Sequence, residues 1–523
     1  MIETIIVTSL ILLAVFGIEL QYIVNSLATP KGLVYLGTVH WPSDYFYYLS
    51  QFVQGKQNFL SSTMLYTPEK LKPVLTGWQN VLSGKILMGL GFDVILAYQV
   101  AVAIYLGLFI YIAYNLIKEI FPDSRGKRML ALVFFITSTS MFRILRDGGG
   151  WQFSYWTHWY NLGSALSRFS PTPHHLLAYS LGTFILLMCI KWVKNGFRNK
   201  YLAFLSIAGF LLASINPVAW GLTTLSILTA GAIYVVKERR WNYLLLGFLL
   251  IIAGIMPAVY TRTVFNTSVY KLSSAWESVQ QLKITPLWLF YNSGLVVVLA
   301  LFGVWSYWKK TTFSKILLFI FLSWAVFFYI SGVPERIKIS NARFWPSQVY
   351  IAWAVLGAEG VIFTANLFRK FYKIALIILL LIYTATIVPT YYVQYKELLT
   401  PKLKNSYYYL SSDTYQAILQ SGKISSPEDV FLVVWPINES FPALTARKTL
   451  FGYELFTLDY PEKMREGFAI IDGKYTQDEL KKTLNIYRIK YLFMYSWNNY
   501  FRQFTFLREV YKNPEITIYE VTS

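Results

Sequence analysis

One carboxylate, Asp44, stands among six aromatic residues in the stretch HWPSDYFYYLSQFVQG, residues 40–55. Aromatic or apolar residues at 45, 46, 48, 49, 52 and 53 have helical spacing, which predicts a helix with Ser43 as N-cap and one face laid on a membrane surface. Asp44 then falls in the first turn, where two roles are open to it. It can belong to the cap, favoured by the helix dipole, or it can act as a general base at the depth of a lipid headgroup. Local chemistry does not separate the two.

The other groups able to do chemistry gather in two stretches. RILRDGGGWQFSYWTHWYNLGSALSRFSPTPHH, residues 143–175, carries Arg143, Arg146, Asp147, His158, Arg168, His174 and His175, and PERIKISNARFWP, residues 334–346, carries Arg336, Lys338 and Arg343. A guanidinium binds phosphate oxygens in bidentate fashion, so Arg146, Arg168, Arg336 and Arg343 are candidates for a phosphate. The three glycines after Asp147 have no following lysine and read as a turn rather than a phosphate cradle. His174 and His175 lack an i, i+4 partner and no Cys/His/carboxylate cluster accompanies them, which argues against zinc. Mg²⁺ or Mn²⁺ needs only one or two carboxylates plus substrate oxygens, so Asp44 could serve one. No GxSxG elbow, GxGxxG or GxxxxGK[ST] is present.

These residues are carried by a very apolar chain. Hydrophobic residues make up 55% of it, aromatics 18%, and charged residues only 14%, about half the share of a soluble domain. Apolar segments of the roughly 20 residues needed to cross a bilayer recur about eleven times, at 3–24, 93–116, 129–146, 174–193, 201–216, 217–236, 242–260, 286–307, 315–331, 345–367 and 373–393. The first lacks a basic n-region and is too long for a signal peptide's apolar core, so it reads as a retained helix. The single cysteine, Cys189, lies within a span and excludes an intrachain disulfide.

Charge orients the spans. Residues 1–394 hold 31 Lys/Arg and 12 Asp/Glu, whereas 395–523 hold 16 and 15. Five short connections, every second one, carry 17 Lys/Arg against three acids. Basic short loops favour the cytoplasmic side, which predicts a cytoplasmic N-terminus, a plasma-membrane location and an extracytoplasmic C-terminal domain. The long loop 25–92 and the loops 147–173, 261–285 and 332–344 then face outward. The net charge of +20 has its explanation in orientation and anionic lipid, with no call for nucleic acid. On this topology six acids lie in outer loops, Glu69, Asp93 and Asp147 among them, and Glu19 and Glu359 lie within spans.

After residue 394 the pattern changes. Runs at 429–435, 490–496 and 516–521 read as strands, and stretches at 412–422, 476–489 and 499–511 as helices. Alternation of this kind predicts a small α/β domain over 395–523 with a largely parallel sheet, following a transmembrane domain over 1–394.

This layout resembles the GT-C superfamily of polytopic membrane glycosyltransferases. The resemblance is carried by an aspartate just after the first helix, by YYLSQFVQG and YTPEKLKPVLTGWQNVLSGKI in a large outer loop, by SRFSPTPHHLLA and NARFWPSQVYIAW before later helices, and by the outer C-terminal domain. It implies a helical polytopic protein that transfers a sugar from a polyprenyl-phosphate donor to a glycan, lipid or protein acceptor on the outer face. It also implies that Asp44 is the general base or helps to hold a divalent ion. Many members carry two acids close together in this loop, whereas Ser43 and Tyr45 flank Asp44 here. A second carboxylate would come from Glu69, Asp93 or Asp147, with His158, His174 and His175 as further acceptor-side candidates. The alternatives are a lipid or polysaccharide flippase and a non-catalytic envelope assembly protein.

Overall fold

The computed structural model describes all residues except 40, 148, 157–163, 170–171, 309–310 and 523, and the backbone alone of Asp147. In chain order the first half comprises α1 (Ile2–Leu27), β1 (Leu33–Tyr35), α2 (Pro42–Gln54), α3 (Trp78–Gly89), α4 (Val94–Ile120), α5 (Arg125–Thr137), β2 (Phe142–Asp147), β3 (Gly150–Tyr155), α6 (Ala165–Arg168), α7 (Pro173–Lys194), α8 (Lys200–Ile215), α9 (Pro217–Glu238) and α10 (Asn242–Phe265). There follow α11 (Ser268–Ser278), α12 (Pro286–Ser293), α13 (Leu295–Trp308), α14 (Phe313–Ile330), α15 (Val333–Arg336), α16 (Val349–Leu367) and α17 (Tyr372–Leu399). The last part holds β4 (Tyr409–Ser411), α18 (Ser412–Ile424), β5 (Val430–Val433), α19 (Ser440–Thr445), β6 (Lys448–Thr449), α20 (Tyr460–Ile471), α21 (Gln477–Ile486), β7 (Ile489–Tyr495), β8 (Leu507–Lys512) and β9 (Ile516–Val521).

Each of the eleven apolar segments contains a helix, yet not all are full spans. Among the described residues eight helices are long and apolar enough to cross a membrane, or nine if α12 and α13, bent by 108° at their junction, count as one. α8 is shorter. The segment 129–146 departs furthest from expectation, because its helix α5 stops at Thr137 and residues 142–155 form an antiparallel hairpin.

The chain folds into two compact units. The first holds residues 1–20, 102–262 and 277–399, the second residues 21–101, 263–276 and 400–523.

In the first unit, α13 and α16 meet through glycines. A Cβ on Gly303 would lie 1.9 Å from the Leu356 carbonyl oxygen, and one on Gly360 1.8 Å from that of Leu299. Small residues at such a crossing let two apolar helices gain dispersion contacts that lipid would otherwise supply. Buried charges are matched: Glu359 accepts from Lys127 at 2.7 Å, with Lys315 at 3.8 Å, and Glu3 accepts from Arg128 at 2.7 Å.

Where α5 ends inside this unit, its freed carbonyls need donors, since backbone left unsatisfied at membrane depth costs several kcal/mol. Arg168 supplies them. Fully buried, it donates from Nη2 to the carbonyls of Phe135 and Ser138, each at 2.9 Å, and its guanidinium lies 4.1 Å from the centre of the Tyr350 ring. Thr390 donates to the Ser140 carbonyl at 3.1 Å, and the Met141 N–H to the Tyr291 carbonyl at 2.8 Å.

The second unit is built on a five-stranded sheet of order β6-β5-β7-β9-β8. β6, β5 and β7 are parallel, whereas β9 pairs antiparallel with both β7 and β8. The expected helix over 499–511 is replaced by a short 3-10 turn and then β8, because Phe506 and Leu507 pack inward while the rest of the strand takes its place at the sheet edge. A separate antiparallel pair joins β1 to β4.

α2 is buried nearly all round. Tyr45, Phe46, Tyr47, Leu49, Phe52 and Val53 are all below a tenth exposed, so the helix is a core element and does not present one face to a membrane surface. α3 packs against it so closely that a Cβ on Gly84 would sit 2.2 Å from the Phe52 carbonyl oxygen. Tyr47 stacks on Phe456 at 4.2 Å, within a cluster that also takes in Met64, Tyr66, Val264, Val269 and Tyr270.

Candidate active site

Pro42 sets the start of α2. Its fixed φ suits the first helical position, so Trp41 becomes the N-cap and makes no side-chain cap bond. Ser43, expected as the cap, is therefore the second helical residue, and Asp44 the third. Negative charge in the first turn is favoured by the helix dipole.

Tyr453 donates its hydroxyl proton to Asp44 Oδ1 at 2.8 Å. Burial, then the charge of Asp44 and the bond to it, hold the tyrosine well above its ordinary acidity range, so it stays a donor. A second carboxylate, Glu439, belongs to the same group. Its Oε1 accepts from the Tyr407 hydroxyl at 3.1 Å, and its backbone carbonyl from the Tyr66 hydroxyl at 3.2 Å. Burial raises the pKa of Glu439 above the usual carboxylate value, and the charges of Glu454 and Asp44 add to this, against the hydroxyls of Ser43 and Tyr407. Its Oε2 is buried and has no hydrogen-bond partner among the described residues. Glu439 and Tyr453 were not singled out from the sequence. The one local signal was an acid set in the apolar run VVWPINESFPAL.

Glu69 accepts from Lys463 and from Thr67. Burial is the largest single influence on its pKa and acts upward, but these donors together outweigh it and the net shift is downward. Asp93 caps α4, accepting from the Leu96 N–H at 2.9 Å. Asp147 closes the hairpin opposite Gly150. His158 lies outside the described residues. His174 and His175 open α7 behind Pro173, their rings 4.2 Å apart, with His175 stacked on Tyr179.

The arginines divide into two pairs. Arg146 and Arg336 are exposed. Arg343 is clasped by Glu277 through two bonds of 2.9 and 3.0 Å, and Arg168 is committed to the carbonyls at the end of α5. Among the described residues no group of three or more His, Cys, Asp or Glu could hold a metal ion, and Asp44 Oδ1 accepts from a tyrosine. A cavity of about 360 Å³ between α2 and α3, lined by Gly55, Lys56, Lys85, Met88 and Gly89, takes in none of the candidate residues.

Comparison with solved structures shows which known fold the chain shares. It is similar to the archaeal oligosaccharyltransferase AglB from Archaeoglobus fulgidus, solved with an inhibitory peptide and a dolichol-phosphate, at a TM-score of 0.53 and 12% identity, covering 94% of this chain and 69% of that one. It is similar also to the mycobacterial arabinofuranosyltransferase AftD, at a TM-score of 0.55 and 13% identity, covering 98% of this chain and 40% of that one. The likeness is one of fold, the GT-C fold that the sequence layout resembles. Comparison with family models and with curated proteins finds no match.

Proposed function

We propose that the protein is an integral membrane glycosyltransferase that moves a sugar from a polyprenyl-phosphate donor to a glycan, lipid or protein acceptor. The reaction is assigned to the outer face of the plasma membrane, with the N-terminus cytoplasmic. The observation that carries this reading is the bond from Tyr453 to Asp44, at the start of a helix buried in its own unit. A general base must be ionised and held in one orientation. A hydroxyl donor and a helix N-terminus both favour the carboxylate form.

In the proposed step Asp44 takes the proton from the acceptor hydroxyl as the acceptor oxygen bonds to the sugar carbon. The bond from that carbon to the donor phosphate oxygen breaks, and the lipid phosphate leaves with the electron pair. Tyr453 orients Asp44. Glu439, whose carboxyl holds its proton more tightly than usual, is assigned the second acid place.

The test is transfer of a radiolabelled sugar from polyprenyl phosphate in membranes, wild type against Asp44→Asn. Loss of transfer supports the role, and equal turnover removes Asp44 from the mechanism. One observation, the 108° break between α12 and α13, favours a lipid flippase instead, since broken helices mark many transporters. Translocation of labelled lipid in proteoliposomes without sugar transfer would establish that reading.

A further inference from the structure

The two faces of the hairpin β2–β3 differ. Directly paired residues share a face, as do alternate residues along a strand. The pairs Phe142↔Tyr155, Ile144↔Phe153 and Arg146↔Trp151 therefore line one face, and Arg143↔Ser154 and Leu145↔Gln152 the other. Phe142 and Phe153 meet edge to face at 5.8 Å, and Arg143 bonds to Ser154 at 3.4 Å. Towards the tip of the aromatic face, Trp151 is 72% exposed, Ile144 54% and Phe153 48%. In water such a patch is unfavourable.

Two measures put the base of the hairpin at a membrane boundary. α5 begins with Arg125, Lys127 and Arg128 and has 13 residues, a length of about 20 Å at 1.5 Å per residue against a hydrocarbon core of about 30 Å. Residues 138–141, non-helical and at up to about 3.3 Å each, cover the remainder, so β2 starts near the far boundary. Independently, Tyr155 reaches Glu397 of α17 at 3.4 Å. Lys373, within the basic start of α17, lies 24 positions before Glu397, about 36 Å along a helix, which is past the core and within the headgroup layer.

From this we infer that the hairpin is a membrane anchor whose Ile144, Phe153 and Trp151 enter the interfacial layer of the bilayer, while Arg146 at its tip meets lipid phosphate. The occupant is the phospholipid surface, because Tyr155 of the hairpin bonds to Glu397 near the end of α17, a helix long and apolar enough to cross a membrane. Trp is favoured in such a layer, and the long side chain of Arg can keep its charged end at the headgroups. The other face, with Arg143, Gln152 and Ser154 beside a single exposed apolar residue, Leu145, is turned to water.

The 523-residue chain provides the test, since its one cysteine, Cys189, is buried. Cysteines introduced singly at 144, 151 and 153, and at 143, 152 and 154, are spin-labelled in nanodiscs of phosphatidylglycerol and phosphatidylcholine. Collision with oxygen and with a water-soluble nickel chelate is then measured. Oxygen-dominated relaxation at 144, 151 and 153 with nickel-dominated relaxation at 143, 152 and 154 is the expected alternation. Nickel access at all six overturns the anchor, as does protection of all six from both reagents, which would mark a protein partner or a second copy. Unchanged elution of each labelled protein on size exclusion separates these outcomes from misfolding.

Discussion

Replacing Tyr453 by Phe removes one hydroxyl and almost no volume. The lost bond is 2.8 Å long and its acceptor is a carboxylate, a class worth about 1.5–3 kcal/mol. Tyr453 is half-buried, so the lower half of that range applies, about 1.5–2 kcal/mol. At 1.36 kcal/mol per pH unit, the acid limb of the kcat/KM profile should move up by about one unit. The sign follows from the bond: a donor to the charged form favours ionisation, and its loss means that the base is fully ionised only at higher pH. Transfer rates measured from pH 4 to 8 with the labelled donor read the shift directly, and well above the limb Tyr453→Phe should approach wild type. An unmoved acid limb in Tyr453→Phe, together with loss of activity in Asp44→Asn, would refute the idea that this hydroxyl tunes the base.

Three further outcomes are expected. Glu69→Gln removes the negative charge opposite the ammonium of Lys463, which is 3% exposed, and because Glu69 itself is 36% exposed the expected cost is about 1–2 kcal/mol of stability, read as a lower melting temperature. In wild type the contribution of Glu69, whose pKa is depressed on balance, is present above the unfolded carboxylate value of about 4.3 and fades as pH falls through the lower folded value. The Glu69→Gln protein should lack that acid-side loss. Arg168→Met leaves two carbonyls at the end of α5 without donors, at about 1–3 kcal/mol each, and should lower thermal stability in detergent without selectively raising KM for the donor. Gly360→Ala places a methyl group 1.8 Å from the Leu299 carbonyl oxygen, so α13 and α16 must separate. The expected cost is about 1–3 kcal/mol or more, with a smaller yield of monodisperse protein.

Much of the fold was legible because hydropathy is local. All eleven apolar segments contain helices, and the strands at 430–433, 489–495 and 516–521 fall within or beside the runs read as strands. Segment 129–146 misled because an apolar run does not say whether it is helix or strand. The polar triplet Ser138–Ser140 was the available sign of the break. Ser43 could not cap α2 once Pro42 took the first helical position, which the order of residues does show. What could not be read were the partners of Asp44. Tyr453 lies 409 positions away, and neither it nor Glu439 sits in a periodic pattern that marks it. The scarcity of acids was enough to find one half of the group and silent on the other.

That separation has a biosynthetic meaning. α2, with Asp44, is made before the tyrosine that bonds to it and the strand that pairs with β1, and among the described residues seven of the eight helices long enough to cross a membrane are made in between. A nascent chain with its whole bundle inserted still holds an unoriented carboxylate. A chain cut short anywhere before Tyr453 keeps Asp44 but not the hydroxyl that bonds to it.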